Sequence, residues 1–160
     1  MKILAIAVLF VLSVGCEYTV PLVTKPEIKI DKTVLGVWQG EKEIERLLVL
    51  PLGKTEYLVS YLAGSKDAIF ARACLGKVGE QQIIQLCWFG TGKAKVADDK
   101  RVYQYVSFSV VEDALVVSHL STKVVPKNVA STEELRQAIA KGVKNPALFQ
   151  EPRRFQRVEN

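Results

Sequence analysis

This chain has few of the residues on which metal and nucleophilic chemistry are usually built. One histidine, His119, and three cysteines occur among its 160 residues. Structural zinc sites take four Cys or His ligands at short spacings, and two free cysteines with one histidine do not make such a set. Gly-x-Ser-x-Gly, Ser-x-x-Lys and a Cys–His pairing are also missing. No catalytic residue, metal or cofactor is therefore expected, and the chain does not read as an enzyme. Asp98-Asp99, beside Lys95 and Lys100, reads as a solvated turn, since a calcium loop draws more oxygen ligands. No block of five like charges occurs and the basic residues do not interleave with aromatics in a stripe, so nucleic acid is not an expected partner. The longest uniformly apolar run, the ten residues Ile3–Leu12, falls short of the roughly 20 that a membrane-spanning helix needs.

That run nevertheless has a reading. Met1-Lys2 supplies a positive end, Ile3–Leu12 an apolar stretch, and Gly15 a small exit residue, the plan of a secretory signal. The next residue is Cys16. Leu12-Ser13-Val14-Gly15-Cys16 resembles the lipobox of bacterial lipoproteins, and the chain as a whole resembles small bacterial envelope lipoproteins. The resemblance implies a signal peptide over 1–15, cleavage before Cys16 and a diacylglyceryl group on its sulfur, usually with a third chain, palmitate for example, on the new amino terminus. One acyl chain anchors marginally and two or three hold, so the membrane is an expected partner through Cys16. Glu17 stands where an Asp retains enteric lipoproteins on the inner membrane. That implies the periplasmic face of the outer membrane if the source is Gram-negative.

Without Lys2 the basic residues number 21 against 17 acidic. The composition, 49% hydrophobic and 24% charged, is globular. Residues 16–33 carry Pro21 and Pro26 without a helical period and read as a lipidated tether, part of which lies as an edge segment on the domain. Residues 34–160 read as one domain. Short runs with turn signals between them, at 34–40, 45–52, 56–63, 68–77, 82–89, 102–111 and 114–121, predict an antiparallel β meander. The period changes at "ASTEELRQAIAKG" (130–142), where Ser131 and Glu134 form a capping box and Leu135, Ala138 and Ile139 share a face. Arg153–Val158 alternates and supplies a last strand. The expected fold is all-β: eight strands as a meander or barrel, with one helix before the last strand.

Gly36-Val37-Trp38 opens the first strand. In this respect the chain is similar to the lipocalins and the wider calycin group, in which a Gly-x-Trp opens the barrel. The resemblance implies that a late arginine packs over Trp38, with Arg153, Arg154 and Arg157 as candidates. An eight-stranded barrel either fills its interior or holds one small ligand. Tyr57, Val59 and Tyr61 alternate on one face, while Leu47–Leu50 leave neither face of their strand polar and need cover on both sides. Tyr57, Tyr61 and Trp88 are candidate ligand contacts. Tyr103 and Tyr105, on the face opposite Val106 and Phe108, are also candidate ligand contacts and the better candidates for a contact at the surface. His119 alternates with Leu115 and Val117 and reads as a packed or surface residue. A hairpin loop of Gly79–Gln82 sets Cys74 opposite Cys87, where an oxidising compartment permits a disulfide; a slip of two residues preserves both faces, separates the pair and leaves free thiols. The expected function is a membrane-anchored module that binds a small apolar molecule or lipid. The alternative is an interaction protein whose filled barrel contacts an envelope protein or cell-wall polymer.

Overall fold

The structure is a computed structural model that describes residues 17–159; the signal peptide expected over 1–15 and the expected lipidation site Cys16 lie outside the described residues. Eight antiparallel strands close into a barrel in sequence order, as the turn spacing predicts. They are β1 (Gly36–Gln39), β2 (Arg46–Pro51), β3 (Glu56–Tyr61), β4 (Ile69–Val78), β5 (Gln81–Thr91), β6 (Val102–Val111), β7 (Ala114–Leu120) and β8 (Phe149–Arg157). Helix α1 (Thr132–Gly142) precedes β8, which begins earlier than its alternating stretch alone suggests. Ser131 caps the helix: its hydroxyl accepts from Glu134 N at 3.1 Å, and the Glu134 carboxylate accepts from Ala130 N at 2.8 Å. The first bond satisfies one of the orphan donors at the helix start, and the second ties the residue before the cap to the first turn.

Consecutive pairing gives the barrel two distinct ends. The connections 40–45, 62–68, 92–101 and 121–148 lie at one end, the mouth. The tight turns β2–β3, β4–β5 and β6–β7 lie at the other, the base. A short 3₁₀ turn at Lys32–Val34 sits against the base, and its Val34 is buried in the interior core with Ile28, Ile30 and Leu35 packed beside it.

The β4–β5 register decides between the two alignments of the cysteines. Val78 faces Gln81 across a two-residue turn whose first residue, Gly79, has φ +57°. Two-residue hairpin turns demand positive φ at that position because their twist must match the strands. This tight turn slips the pairing by two residues relative to a Gly79–Gln82 loop. Cys74 faces Gln85 and Cys87 faces Arg72, and both thiols are free.

Two apolar cores result, one on each side of the sheet. Inside the barrel, Trp38, Val49, Tyr57, Val59, Ala71, Leu75, Leu115 and Phe155 pack together. Outside, Tyr18, Leu22, Ile83, Tyr105, Leu120, Leu135 and Ile139 form a second cluster between the wall, α1 and the amino-terminal segment. That segment lies along the wall as a strap, which extends the edge segment expected for part of it. Tyr18 pairs with Tyr103 through two backbone bonds of 2.8 and 2.9 Å. The buried Gln85 side chain accepts from Leu22 N at 2.7 Å and Val23 N at 2.9 Å. The close approach needs Gly76: a Cβ there would lie 2.8 Å from Val23 Cγ2.

Candidate functional site

The seam that closes the barrel is short. Trp38 faces Arg157 and Gln39 faces Gln156, and Val158 N adds a bond of 2.9 Å to Val37 O. Trp38 is fully buried, and its indole N–H donates to Val34 O at 2.9 Å. Of the three candidate arginines, Arg157 lies over the ring, its guanidinium carbon 4.1 Å from the centroid. The same guanidinium donates to Leu35 O at 2.9 Å and Thr33 O at 2.7 Å. A cation–π contact and two charge-assisted bonds thus act through one side chain. Gly36 makes room for it: φ is +126°, and a Cβ would sit 3.2 Å from Arg157 Nη1. Arg154 is exposed, opposite Val116. Arg153 turns inward and bonds the Tyr61 hydroxyl at 3.3 Å.

The interior holds two small voids. One, of about 90 Å³, is walled by Val34, Val49, Tyr57, Ala73, Ile84, Phe108 and Leu115. The second, of about 70 Å³, lies toward the mouth against Tyr61, Trp88, Gln104, His119, Arg153 and Phe155. Leu47, Val59, Leu86, Val106 and Val117 line both. Tyr57, Tyr61 and Trp88 therefore belong to the cavity wall, with a polar group held at each end. Toward the base, the Tyr57 hydroxyl accepts from Asp31 N at 2.6 Å. Toward the mouth, the Trp88 indole donates to Gln104 Oε1 at 2.9 Å, and Gln104 is 1% exposed. Burial raises the phenol pKa values of Tyr57 and Tyr61, so both stay neutral donors and acceptors at physiological pH.

Tyr103 and Tyr105 do not line this cavity, and Tyr105 is not a surface contact. Strand alternation turns both outward, where the strap covers Tyr105 completely. Its ring lies 5.2 Å from that of Tyr18, and its hydroxyl donates to Val20 O. Burial pushes the Cys74 thiol up to about 11 and also raises the Cys87 pKa, which keeps both in the unreactive thiol form. Among the described residues, no three His, Cys, Asp or Glu side chains gather as metal ligands would.

Alternation left His119 as a packed or surface residue; the structure packs it into the cavity wall. It is 9% exposed, and its Nδ1 is buried without a hydrogen-bond partner among the described residues. A bulge between Val117 and His119 shifts the β7–β8 register beside it. Arg153, opposite Val117, turns inward, a position that alternation within β8 explains once Phe155 is known to face the core. The strap's Tyr18-x-Val20-x-Leu22 alternation was the available signal for the outer core. Comparisons with family models, curated proteins and solved structures return no match for this chain.

Two outcomes follow from this geometry. Trp38→Ala should lower stability by about 3–5 kcal/mol, as expected for a large buried ring. Arg157→Ala should cost less, and the double mutant should fall short of the sum because the two side chains touch. Denaturant midpoints for the cycle test this, and simple additivity would show that the stack contributes nothing. The second outcome concerns His119, whose pKa is lowered by burial and then by the Arg153 charge, with Glu151 opposing. The unfolded chain therefore takes up the proton first, near the ordinary histidine value of 6.5. Stability should fall as pH drops from that value toward the lower folded-state value. Unfolding midpoints of wild type and His119→Gln between neutral and mildly acidic pH should converge on the acid side, and parallel curves would remove His119 as the source.

Proposed function

We propose that the chain is a membrane-anchored envelope lipoprotein whose barrel holds a small apolar molecule or the end of a lipid chain. The observation that carries this reading is the pair of apolar voids inside a closed barrel, sharing one wall and bounded toward the mouth by polar side chains. Size limits the ligand. Drug-sized ligands occupy pockets of about 300–1,000 Å³, whereas these voids measure about 90 and about 70 Å³. A dry apolar cavity of about 150 Å³ accepts benzene, so the interior suits a compact hydrocarbon group. The same smallness favours a second reading, a filled barrel that contacts an envelope protein or cell-wall polymer through its surface. Both readings rest on lipidation at Cys16, and neither needs catalysis or a cofactor.

Native mass spectrometry of the full chain purified from its own envelope separates them. The binding reading expects an added small-molecule mass besides the acyl groups on Cys16, lost in Val106→Phe, which projects bulk into the wall shared by both voids. A folded wild type that carries no added mass and takes up no benzene on titration would leave the filled barrel as the reading that stands.

A further inference from the structure

We propose that this barrel sits on the bilayer mouth-first, held there by its strap. The inference rests on the lipid anchor at Cys16 and concerns what the anchor does to orientation. Tyr18, two residues from Cys16, is fixed. Both its backbone N–H and its carbonyl bond to Tyr103, at 2.8 and 2.9 Å. Its hydroxyl donates to Val125 O at 2.8 Å, and the residue is fully buried. Tyr103 is the second residue of β6, at the mouth.

Beyond Tyr18 the strap runs toward the base and is bonded as it goes. Thr132 Oγ1 donates to Pro21 O at 2.6 Å and Arg136 Nη2 to Leu22 O at 3.1 Å, besides the two bonds to Gln85. Glu17, which is exposed, is the one residue between this fixed point and Cys16. An extended chain covers at most about 3.6 Å per residue, so the lipid-bearing residue stays within about 7 Å of Tyr18. At about 3.3 Å per residue, a strand as long as β4 spans roughly 30 Å from mouth to base. The base is out of reach of the anchor.

Charge favours the same orientation. The connection 92–101, which leads into Tyr103, carries four basic residues against two acidic ones, and 121–131, which contains Val125, carries Lys123 and Lys127 and no acid. The connection on the far side of the mouth, 40–45, carries three acids against one lysine. The basic flank is therefore the flank beside the anchor, where attraction to anionic headgroups acts within a Debye length. The polar end of the cavity, with Tyr61, His119 and Arg153, then opens toward headgroups, and a ligand would enter from the bilayer.

The test is lysine footprinting of the full lipidated chain on vesicles of phosphatidylcholine and phosphatidylglycerol, using an impermeant acylating reagent and the Cys16→Ser chain in solution as reference. Lys95, Lys123 and Lys127 at the mouth and Lys29 and Lys54 at the base are all exposed. Labelling of the mouth lysines should drop several-fold on vesicles while Lys29 and Lys54 stay unchanged. Inserting a flexible Gly-Ser stretch between Cys16 and Glu17 should weaken that contrast and leave vesicle binding intact. Vesicle binding with equal or greater protection of Lys54 would overturn the orientation while the anchor stands, and a contrast that survives the linker undiminished would overturn the strap as what holds it. Absence of both vesicle binding and acyl mass on Cys16 would overturn the anchor itself, and the orientation with it.

Discussion

The barrel depends on the stack of Arg157 on Trp38. A sheet of eight strands in sequence order has two edges until the first and last strands meet, and unpaired edges expose backbone donors and acceptors. Here the meeting is two residue pairs long, Trp38–Arg157 and Gln39–Gln156. So short a ladder supplies few bonds, and side chains carry the rest. Arg157 spans the seam onto the indole and reaches Thr33 and Leu35. The indole itself bonds Val34. One cluster therefore joins the seam to the segment that plugs the base, and the interior stays enclosed only while both hold.

A wall apolar on both faces imposes the second constraint. Ile83, Tyr105 and Leu120 face away from the barrel interior and are buried nonetheless. Their cover comes from opposite ends of the chain. Tyr18 and Leu22 arrive before the first strand, and Leu135 and Ile139 on the helix before the last. Thr132 and Arg136 bond the strap's carbonyls, so strap and helix are one outer layer. The same layer shields Cys74 and fixes the chain immediately after Cys16. Stability of the outer core and the path of residues 18–23 are thus one property of the fold.

Eight strands and a capped helix were legible because each has a local cause: alternation, turn glycines, and Ser131 three residues before Glu134. The role of Trp38 was legible in kind, since a Gly-x-Trp at the head of a barrel implies a late arginine, but three arginines competed and strand alternation had to choose among them. Arg153 and Arg157 share the inward parity of β8, and only Arg157 lies level with the ring. The register of β4–β5 was not legible, because slips of two residues bury the same faces and the tight turn at Gly79–Glu80 decides between them. Tyr105 was misread as a surface contact for a related reason. Alternation says which face a residue takes; what covers that face comes from elsewhere in the chain, here from a proline-bearing segment that reads locally as a tether.

The functional reading follows from enclosure. A closed wall keeps the two voids apolar, and the few polar groups at the mouth, Tyr61, Gln104, His119 and Arg153, give the interior one end suited to a polar group. An open sheet with the same residues would present a hydrophobic face and no cavity. Native-state hydrogen exchange addresses this distinction at the seam. The Val158 amide, bonded to Val37 O, should exchange with the same opening free energy as central β4 amides such as Leu75, because a closed barrel opens its seam only on global unfolding. Exchange at Val158 and along β1 that is orders of magnitude faster than at Leu75 would show an open seam and contradict the account.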